Sequence, residues 1–125
     1  MCIRDSFYPK DDTPGCTTEA LDFTRLGPEF AAAGAVVVGV SKDSVKAHDK
    51  FCRKHALGVI LASDEEGDTC ERYGVWGEKS MYGKTYMGIV RSHFLVDEAG
   101  NIADVQYNVS PDDSVQNALV SLRLI

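Results

Sequence analysis

The chain has 125 residues, of which 44% are apolar, a size that suits one domain with its own hydrophobic core and is too small for two. Its formal net charge is -6 and its basic residues are scattered, which argues against nucleic acid or an anionic membrane as a main partner. No apolar run approaches membrane-spanning length and no secretory signal opens the sequence, so we expect a cytoplasmic protein.

The first predicted helix places a cysteine in its opening turn. Thr13 is a favourable N-cap residue and Pro14 suits the first helical position, so Cys16 occupies the third. There the sulfur faces unpaired backbone N–H groups and the positive end of the helix dipole, which favour a thiolate over a thiol. In a Ser/Thr-x-x-Glu capping box this position carries a carboxylate, so a negative sulfur suits it. We therefore predict that Cys16 is reactive.

The remaining predicted elements alternate between helices and strands. The first half has a helix over residues 14 to about 25, a further helical turn over 29–33, a strand over 35–40, a helix over 45–56 and a strand over 58–62. A short helix begun by 63–66 and ending at Tyr73 follows, and then a polar surface loop between Trp76 and Gly88. The chain continues with strands over 89–96 and 102–107 around a hairpin turn, and with a last helix capped within 111–114 and ending near Leu122. The β-branched run over 35–40 is typical of a strand buried on both faces. On the helix over 45–56, the residues predicted to face inward are Val45, Ala47, His48, Phe51, Cys52, His55 and Ala56. The order predicts a single α/β domain over 1–125, with a mixed sheet flanked by helices.

Cysteine and histidine spacing gives no metal or cofactor site. The four cysteines are Cys2, Cys16, Cys52 and Cys70, and the three histidines are His48, His55 and His93. The cysteines are too few and too widely spaced for a disulfide scaffold, and none forms a Cys-x-x-Cys pair. The histidines lack the partners that a metal site would need, so we expect them to be packing or solvated residues. The cysteines are then catalytic or inert thiols.

Residues 7–19, Phe-Tyr-Pro-Lys-Asp-Asp-Thr-Pro-Gly-Cys-Thr-Thr-Glu, closely resemble the active-site segment of peroxiredoxins, in particular the Q type, also called bacterioferritin comigratory proteins. Further segments match that subfamily in order, namely 39–41, 43–45, 63–64, 73–75, 81–84 and 88–92. The resemblance implies a thioredoxin-like fold and the reduction of hydrogen peroxide and organic hydroperoxides. It also implies thioredoxin or a similar dithiol as reductant, and commonly a monomer.

The same resemblance implies roles for individual residues. Cys16 would be the peroxidatic cysteine, Thr13 would hydrogen-bond the peroxide, Pro9 would shield the pocket and Arg91 would supply positive charge. These roles suit a thiolate that attacks an O–O bond, because the leaving oxygen departs with negative charge. Without the resemblance, Arg91 in a mostly apolar strand would be an ordinary surface charge. Glu19 would hold the hydrogen-bond network, although an acid in a first helical turn also suits the dipole.

The sulfenic acid formed on Cys16 needs a second thiol before it is over-oxidised. Many Q-type proteins carry that resolving cysteine on the same helix, where this chain has Leu21. Cys52 matches the position used by less common members, so the resemblance implies an intramolecular Cys16–Cys52 disulfide. Alternatives stay open: Cys52 is a small core residue and an external thiol resolves Cys16, or the chain is a non-enzymatic redox sensor or an inactive fragment. We expect Cys70 to be inert.

Residues 1–6 depart from the family pattern. Family members have an apolar hairpin and then an apolar strand before Phe-Tyr-Pro, whereas this chain begins Met-Cys-Ile-Arg-Asp-Ser. We therefore expect the first strands of the family to be missing and a sheet edge to be exposed. We assign no role to Cys2.

Overall fold

The computed structural model describes residues 2–111 and 114–123. The strands are β1 (Cys2–Phe7), β2 (Ala35–Ser41), β3 (Ile60–Ser63), β4 (Trp76–Met81), β5 (Lys84–Ile89), β6 (Ser92–Val96) and β7 (Ile102–Gln106). The helices are α1 (Pro14–Arg25), α2 (Gly27–Ala32), α3 (Val45–His55), α4 (Thr69–Arg72) and α5 (Ser114–Arg123). None of these helices has the length and hydropathy that crossing a membrane requires.

Five strands form one mixed sheet in the order β3-β2-β1-β6-β7, and β4 pairs with β5 in a separate two-stranded sheet. β1 is parallel to β2, and β2 is parallel to β3. β6 is antiparallel to both β1 and β7. The predicted α/β fold with a mixed central sheet is therefore confirmed.

Side chains from both faces of the central sheet are buried. Successive residues of a strand point to opposite faces, and Phe94 and Leu95 of β6 accordingly belong to different apolar clusters. Leu95 packs with Phe23, Phe30 and Leu119, which come from α1, α2 and α5. Phe94 packs in the cluster that includes Cys70, on α4. A third cluster contains Tyr8, Cys16, Ala20 and Phe51 and joins α1 to α3.

The helix boundaries agree with the sequence prediction at α1 and differ elsewhere by a few residues. α4 begins only at Thr69, because the carboxylate of Asp64 reaches forward to accept hydrogen bonds from the backbone N–H groups of Thr69 and Cys70. On α3, His48 and Phe51 are buried as predicted, whereas Val45 and Ala56 are exposed. The capping run predicted for α5 includes residues 112 and 113, which lie outside the described residues.

The segment predicted to be a surface loop between Trp76 and Gly88 is a β-hairpin. β4 and β5 pair antiparallel around Tyr82 and Gly83. These two residues have φ angles of 52° and 76°, and positive φ at both central positions is typical of a type I′ hairpin turn. The prediction was wrong because β5 exposes most of its side chains and thus lacks the buried alternation by which a strand is recognised.

The single strand predicted over residues 89–96 is interrupted. β5 ends at Ile89 and β6 begins at Ser92. Between them, the Val90 N–H donates to the Val75 carbonyl at 2.7 Å, and the Arg91 carbonyl accepts from the Val109 N–H at 2.9 Å. Arg91 therefore lies in a connector and not in an apolar strand, and its side chain is free to reach α1.

Residues 2–7 form the middle strand of the central sheet. β1 pairs along its length with β2 on one side and with β6 on the other. Its Arg4 side chain is buried, and Nη2 donates to the Ala118 carbonyl at 3.0 Å. Burial lowers the pKa of Arg4, against the effect of nearby Asp104. The chain thus has a strand directly before Tyr8, and the expectation of a missing strand at this place is not met.

Candidate active site

Cys16 lies in the first turn of α1, at the third helical position. Thr13 is the N-cap residue, with φ of -92° and ψ of 155°, and Pro14 follows it as the first helical residue. The Thr13 hydroxyl does not cap the helix; it donates to the Lys10 carbonyl at 2.8 Å. The Cys16 side chain is buried, with an exposed fraction of 3%, and packs against Tyr8 and Ala20.

The sulfur of Cys16 faces the guanidinium of Arg91. Arg91 Nη2 donates to Cys16 Sγ at 3.1 Å. Burial alone would lower the pKa of Arg91, but the charges of Glu19 and Cys16 raise it on balance, so the guanidinium keeps its charge. A Cβ atom at Gly15 would lie only 3.3 Å from Arg91 Nη2, so glycine allows this close approach. A cation and a helix start both favour a negative sulfur.

Glu19 orients Arg91 from the next turn of α1. Its Oε1 accepts from Arg91 Nη1 at 2.7 Å, while the other guanidinium nitrogen contacts Cys16. Its Oε2 accepts from the hydroxyl of Ser114, the first residue of α5, at 2.5 Å. Burial raises the pKa of Glu19, against the opposing effects of Arg91 and Ser114. Glu19 and Ser114 thus hold the guanidinium in a fixed orientation, because each carboxylate oxygen has its own donor.

Ser114 is the part of this arrangement that the sequence did not indicate. In the sequence Ser114 is only one of the capping candidates for α5, and its contact with Glu19 joins residues 95 positions apart. A serine before a helix is common, so no local pattern distinguishes one that also binds a distant carboxylate.

Pro9 and Arg91 meet at an open groove of about 520 Å³. Lys79, Val90, Tyr107 and Val109 also line it. Lys79 Nζ donates to the Ile89 carbonyl at 2.9 Å, and burial together with the charge of Arg91 lowers its pKa. Arg91 thus lines this groove together with Pro9 and also contacts Cys16. Thr13 lies at the start of the helix that carries Cys16.

Cys52 lies on α3, three residues before the end of that helix. It is half-buried, and Cys16 and Cys52 are both free thiols. Burial raises the pKa of the Cys52 thiol, and the charges of Asp11 and Asp49 raise it further. Phe51, the residue before it, packs in the same cluster as Cys16. The two cysteines are therefore on helices that contact each other, without a bond between their sulfurs.

Cys70 lies beside an anion, whereas Cys16 lies beside the cation of Arg91. It is fully buried, and burial together with a hydrogen bond to the Asp64 carboxylate raises its pKa to about 12. His93, a predicted packing residue near the site, is buried, and its Nε2 lies 3.5 Å from Glu19 Oε2. Neither of its ring nitrogens has a hydrogen-bond partner within residues 2–111 and 114–123. Burial and then the charges of Arg4 and Arg91 lower its pKa to about 3, so its imidazole is neutral.

Comparisons with known proteins agree with this arrangement. The family model for the AhpC/TSA family matches residues 6–105. A putative peroxiredoxin bcp of Coxiella burnetii is 50% identical over 109 residues, which are 87% of this chain and 72% of that protein. Peroxiredoxin Bcp of Bacillus subtilis is 47% identical over 94% of this chain and 74% of its own length.

A solved structure is also closely similar. The bacterioferritin comigratory protein of Xanthomonas campestris, studied for its alkyl peroxide reduction activity, superposes with a TM-score of 0.93 at 44% identity and covers 98% of this chain and 77% of its own. Variant structures of peroxiredoxin Q from the same organism replace two different cysteines by serine. Those two cysteines are as far apart in that sequence as Cys16 and Cys52 are here.

The mixed sheet and the cysteine at the start of α1 define a thioredoxin-like thiol protein. The chain belongs to the AhpC/TSA family, among the peroxiredoxins of the Bcp or Q type.

Proposed function

We propose that the chain is a thiol peroxidase that reduces hydrogen peroxide and organic hydroperoxides with Cys16 as its peroxidatic cysteine. The observation that carries this proposal is the contact of Arg91 with Cys16 Sγ on one side and Glu19 on the other. A fixed guanidinium beside a sulfur supports the attacking thiolate and remains in place for the charge that develops during attack.

In the first step the Cys16 thiolate attacks the terminal oxygen of the hydroperoxide. An S–O bond forms, the O–O bond breaks, and the sulfur is oxidised by two electrons to a sulfenic acid. The leaving oxygen takes up a proton and departs as water or an alcohol. Arg91 would stabilise the charge on this oxygen, Thr13 would hydrogen-bond the peroxide through its hydroxyl, and Pro9 would cover the pocket at the groove it shares with Arg91.

In the second step Cys52 resolves the sulfenic acid. Its sulfur attacks Cys16 Sγ, a disulfide forms, and the hydroxyl group leaves as water. The cysteine pair replaced in the Xanthomonas variants supports this assignment, because its sequence separation is the same. At the position of the commoner resolving cysteine, Leu21 offers no thiol.

The cycle closes when a dithiol reductant, thioredoxin or a similar protein, reduces the disulfide and is itself oxidised. We further propose that the chain acts as a monomer. The contacts of Arg91 with Cys16 and Glu19, and of Ser114 with Glu19, support this, because α1, the connector before β6 and α5 all come from one chain.

The experiment measures peroxide consumption with thioredoxin, its reductase and NADPH, and maps disulfides after peroxide treatment. We expect turnover and a Cys16–Cys52 disulfide, and we expect Cys52→Ser to form the sulfenic acid but to lose thioredoxin-driven turnover. Cys2→Ser is the matched control, since Cys2 is also a half-buried free thiol. Normal turnover of Cys52→Ser would support resolution by an external thiol, and no peroxide consumption by the intact chain would exclude a peroxidase.

A further inference from the structure

A buried histidine on the helix of Cys52 holds the segment that leads into the helix of Cys16. His48 of α3 is 4% exposed. Its Nδ1 lies 2.6 Å from Asp11 Oδ2, and its Nε2 lies 3.1 Å from the Ala62 carbonyl of β3. A carbonyl can only accept and a carboxylate accepts, so these contacts favour a proton on both ring nitrogens, which is the imidazolium form of His48.

Two further hydrogen bonds hold Asp11 in place. The Tyr8 hydroxyl donates to Asp11 Oδ1 at 2.5 Å, and the Asp11 N–H donates to Asp43 Oδ2 at 2.8 Å. Asp43 Oδ2 also accepts from the Ser41 hydroxyl at 2.7 Å, at the end of β2. The side chains of His48 and Asp11 are only 5% and 6% exposed, so water weakens their attraction little.

The groups that face His48 come from three parts of the chain. The segment before α1 contributes Asp11 and the Tyr8 hydroxyl, the turn between β2 and α3 contributes Asp43, and β3 contributes the Ala62 carbonyl. Burial alone would lower the pKa of His48, but Asp11, the carbonyl and Asp43 raise it on balance. The imidazolium is therefore favoured by partners on elements other than its own helix.

A disulfide would join α1 to α3, and the His48–Asp11 contact ties α3 to the segment that leads into α1. Cys16 and Cys52 are free thiols, and a disulfide requires their Cα atoms to lie about 4.4–6.8 Å apart with the sulfurs bonded. Asp11 precedes the first residue of α1 by three positions, and His48 precedes Cys52 by four positions on α3. A movement of either part that brings the two sulfurs together therefore acts on the contact between Asp11 and His48.

We propose that the His48–Asp11 pair is a latch that keeps the peroxide-attacking arrangement closed and must open before Cys52 reaches Cys16. His48 is then a positioning residue that influences which of two products the sulfenic acid on Cys16 forms. In one, the Cys52 thiol displaces water and forms the disulfide. In the other, a second hydroperoxide transfers its oxygen to the sulfur, giving sulfinic acid and water or an alcohol. The latch rests on the proposed function, since both fates follow peroxide attack on Cys16.

Two substitutions break the pair from either side. His48→Gln removes the positive charge while its amide can still reach the Ala62 carbonyl, and Asp11→Asn removes the negative charge without changing shape. Rapid quenching, with sulfenic acid trapping and mass spectrometry, separates sulfenic acid formation from disulfide formation. For both variants we expect disulfide formation to be about tenfold faster and sulfinic acid correspondingly less abundant, with sulfenic acid formation changed by less than about twofold.

Two further measurements distinguish the loss of the His48–Asp11 latch from a general loosening of the structure. Because the two charges act as a pair, the double variant should resemble each single variant and not show their combined effect. The ratio of the His48→Gln rate to the wild-type rate should fall toward one as the pH rises through the raised pKa of His48, because the wild type then loses the same proton.

His55→Gln is the matched control. His55 lies on the same helix and also contacts the segment before α1, through Asp12 at 2.9 Å, but this pair is partly exposed. We expect its disulfide rate to stay within about twofold of the wild type. Absence of any peroxide-dependent sulfenic acid would overturn the proposed function. Normal sulfenic acid formation with unchanged or slower disulfide formation in both latch variants, or equal acceleration by His55→Gln, would overturn the latch alone.

Discussion

Cys16 and Cys70 occupy similar places in the fold and have opposite surroundings. Each is buried in the first turn of a helix, with exposed fractions of 3% and 0%. Cys16 Sγ contacts the Arg91 guanidinium at 3.1 Å, whereas Cys70 lies against the Asp64 carboxylate, which helps to raise its pKa to about 12. Burial and a helix start are therefore common to the two thiols, and the charge of the group that faces the sulfur is what differs between them.

The two helix starts also differ in whether a side chain already accepts from their backbone N–H groups. At α4, Asp64 already accepts from the N–H groups of Thr69 and Cys70, at 3.1 and 2.8 Å, so these donors are not available to a sulfur. At α1, the Thr13 hydroxyl makes no capping hydrogen bond to the first turn. The start of α1 is thus open to a negative sulfur, whereas a carboxylate occupies the start of α4.

The largest expected difference is between the serine variants of the two cysteines. Cys16→Ser should lose peroxide consumption entirely, because the attacking sulfur is gone. Cys70→Ser should retain activity within about twofold, since its thiol is buried and has a raised pKa. Steady-state peroxide consumption with a dithiol reductant measures both, and an active Cys16→Ser variant or an inactive but folded Cys70→Ser variant would reverse the comparison.

Removing the Arg91 cation from the Cys16 site should have the second-largest effect. We expect Arg91→Gln to lower the second-order rate constant for peroxide by about 10²–10³, because a fixed charged donor to the sulfur and the leaving oxygen is lost. Arg91→Lys keeps the charge but cannot bridge Cys16 and Glu19, so its rate should lie between those of Arg91→Gln and the wild type. Stopped-flow kinetics with reduced protein measure these rates, and equal rates for all three proteins would contradict the role of Arg91.

Changing the anion at the Cys70 site should affect stability and not activity. Asp64→Asn weakens the charged hydrogen bonds to two backbone N–H groups and to Lys42, so we expect unfolding to become easier by about 1–3 kcal/mol. Urea denaturation measures this loss. Asp68→Asn is the control, because Asp68 makes no side-chain capping bond to the same helix, and its effect should stay within about 0.5 kcal/mol.

The region around Cys16 and the region around Cys70 should also lose stability in opposite pH ranges. This is the smallest of the expected effects. His48, near Cys16, has a raised pKa in the folded state, so its contribution is complete at low pH and is lost as the pH rises through that raised value. Asp64 has a pKa lowered to about 2, because its hydrogen bonds to Cys70, Thr69 and Lys42 outweigh the effect of burial. Its contribution is complete above its ordinary pKa of 3.8 and is lost as the pH falls toward 2.

Hydrogen exchange followed by mass spectrometry, corrected for the intrinsic pH dependence, measures these two responses separately. Protection of residues 8–13 and 45–55 should fall on the alkaline side, and protection of residues 64–73 should fall on the acid side. His48→Gln should remove the alkaline response and leave the acid one. A common response of both regions would contradict their separate electrostatic control.

The features that could be predicted from the sequence are those with local signals. Thr13 and Pro14 define the start of α1 and place Cys16 correctly, and the β-branched run gives β2. The hairpin of β4 and β5 was missed because exposed strands interrupted by glycines lack a buried periodicity. The Tyr82-Gly83 pair was its available signal, since a glycine suits the turn.

The contacts that complete the site could not be predicted in this way because they join distant parts of the chain. Arg91 was identified only through the family resemblance, and its reach to Cys16 depends on the break between β5 and β6. Ser114 and the His48–Asp11 pair depend on how α5 and α3 pack against the sheet. Such pairings follow from tertiary packing, which residue spacing does not encode.

The most direct test of the account is to identify which sulfur a hydroperoxide oxidises first. Reduced protein is mixed with a single equivalent of hydroperoxide, sulfenic acid is trapped at early times, and the peptides are mapped. We expect the first trapped sulfenic acid on Cys16, a Cys16–Cys52 disulfide after it, and no modification of Cys70. First oxidation at Cys70 or Cys52, with Cys16 still reduced, would contradict it.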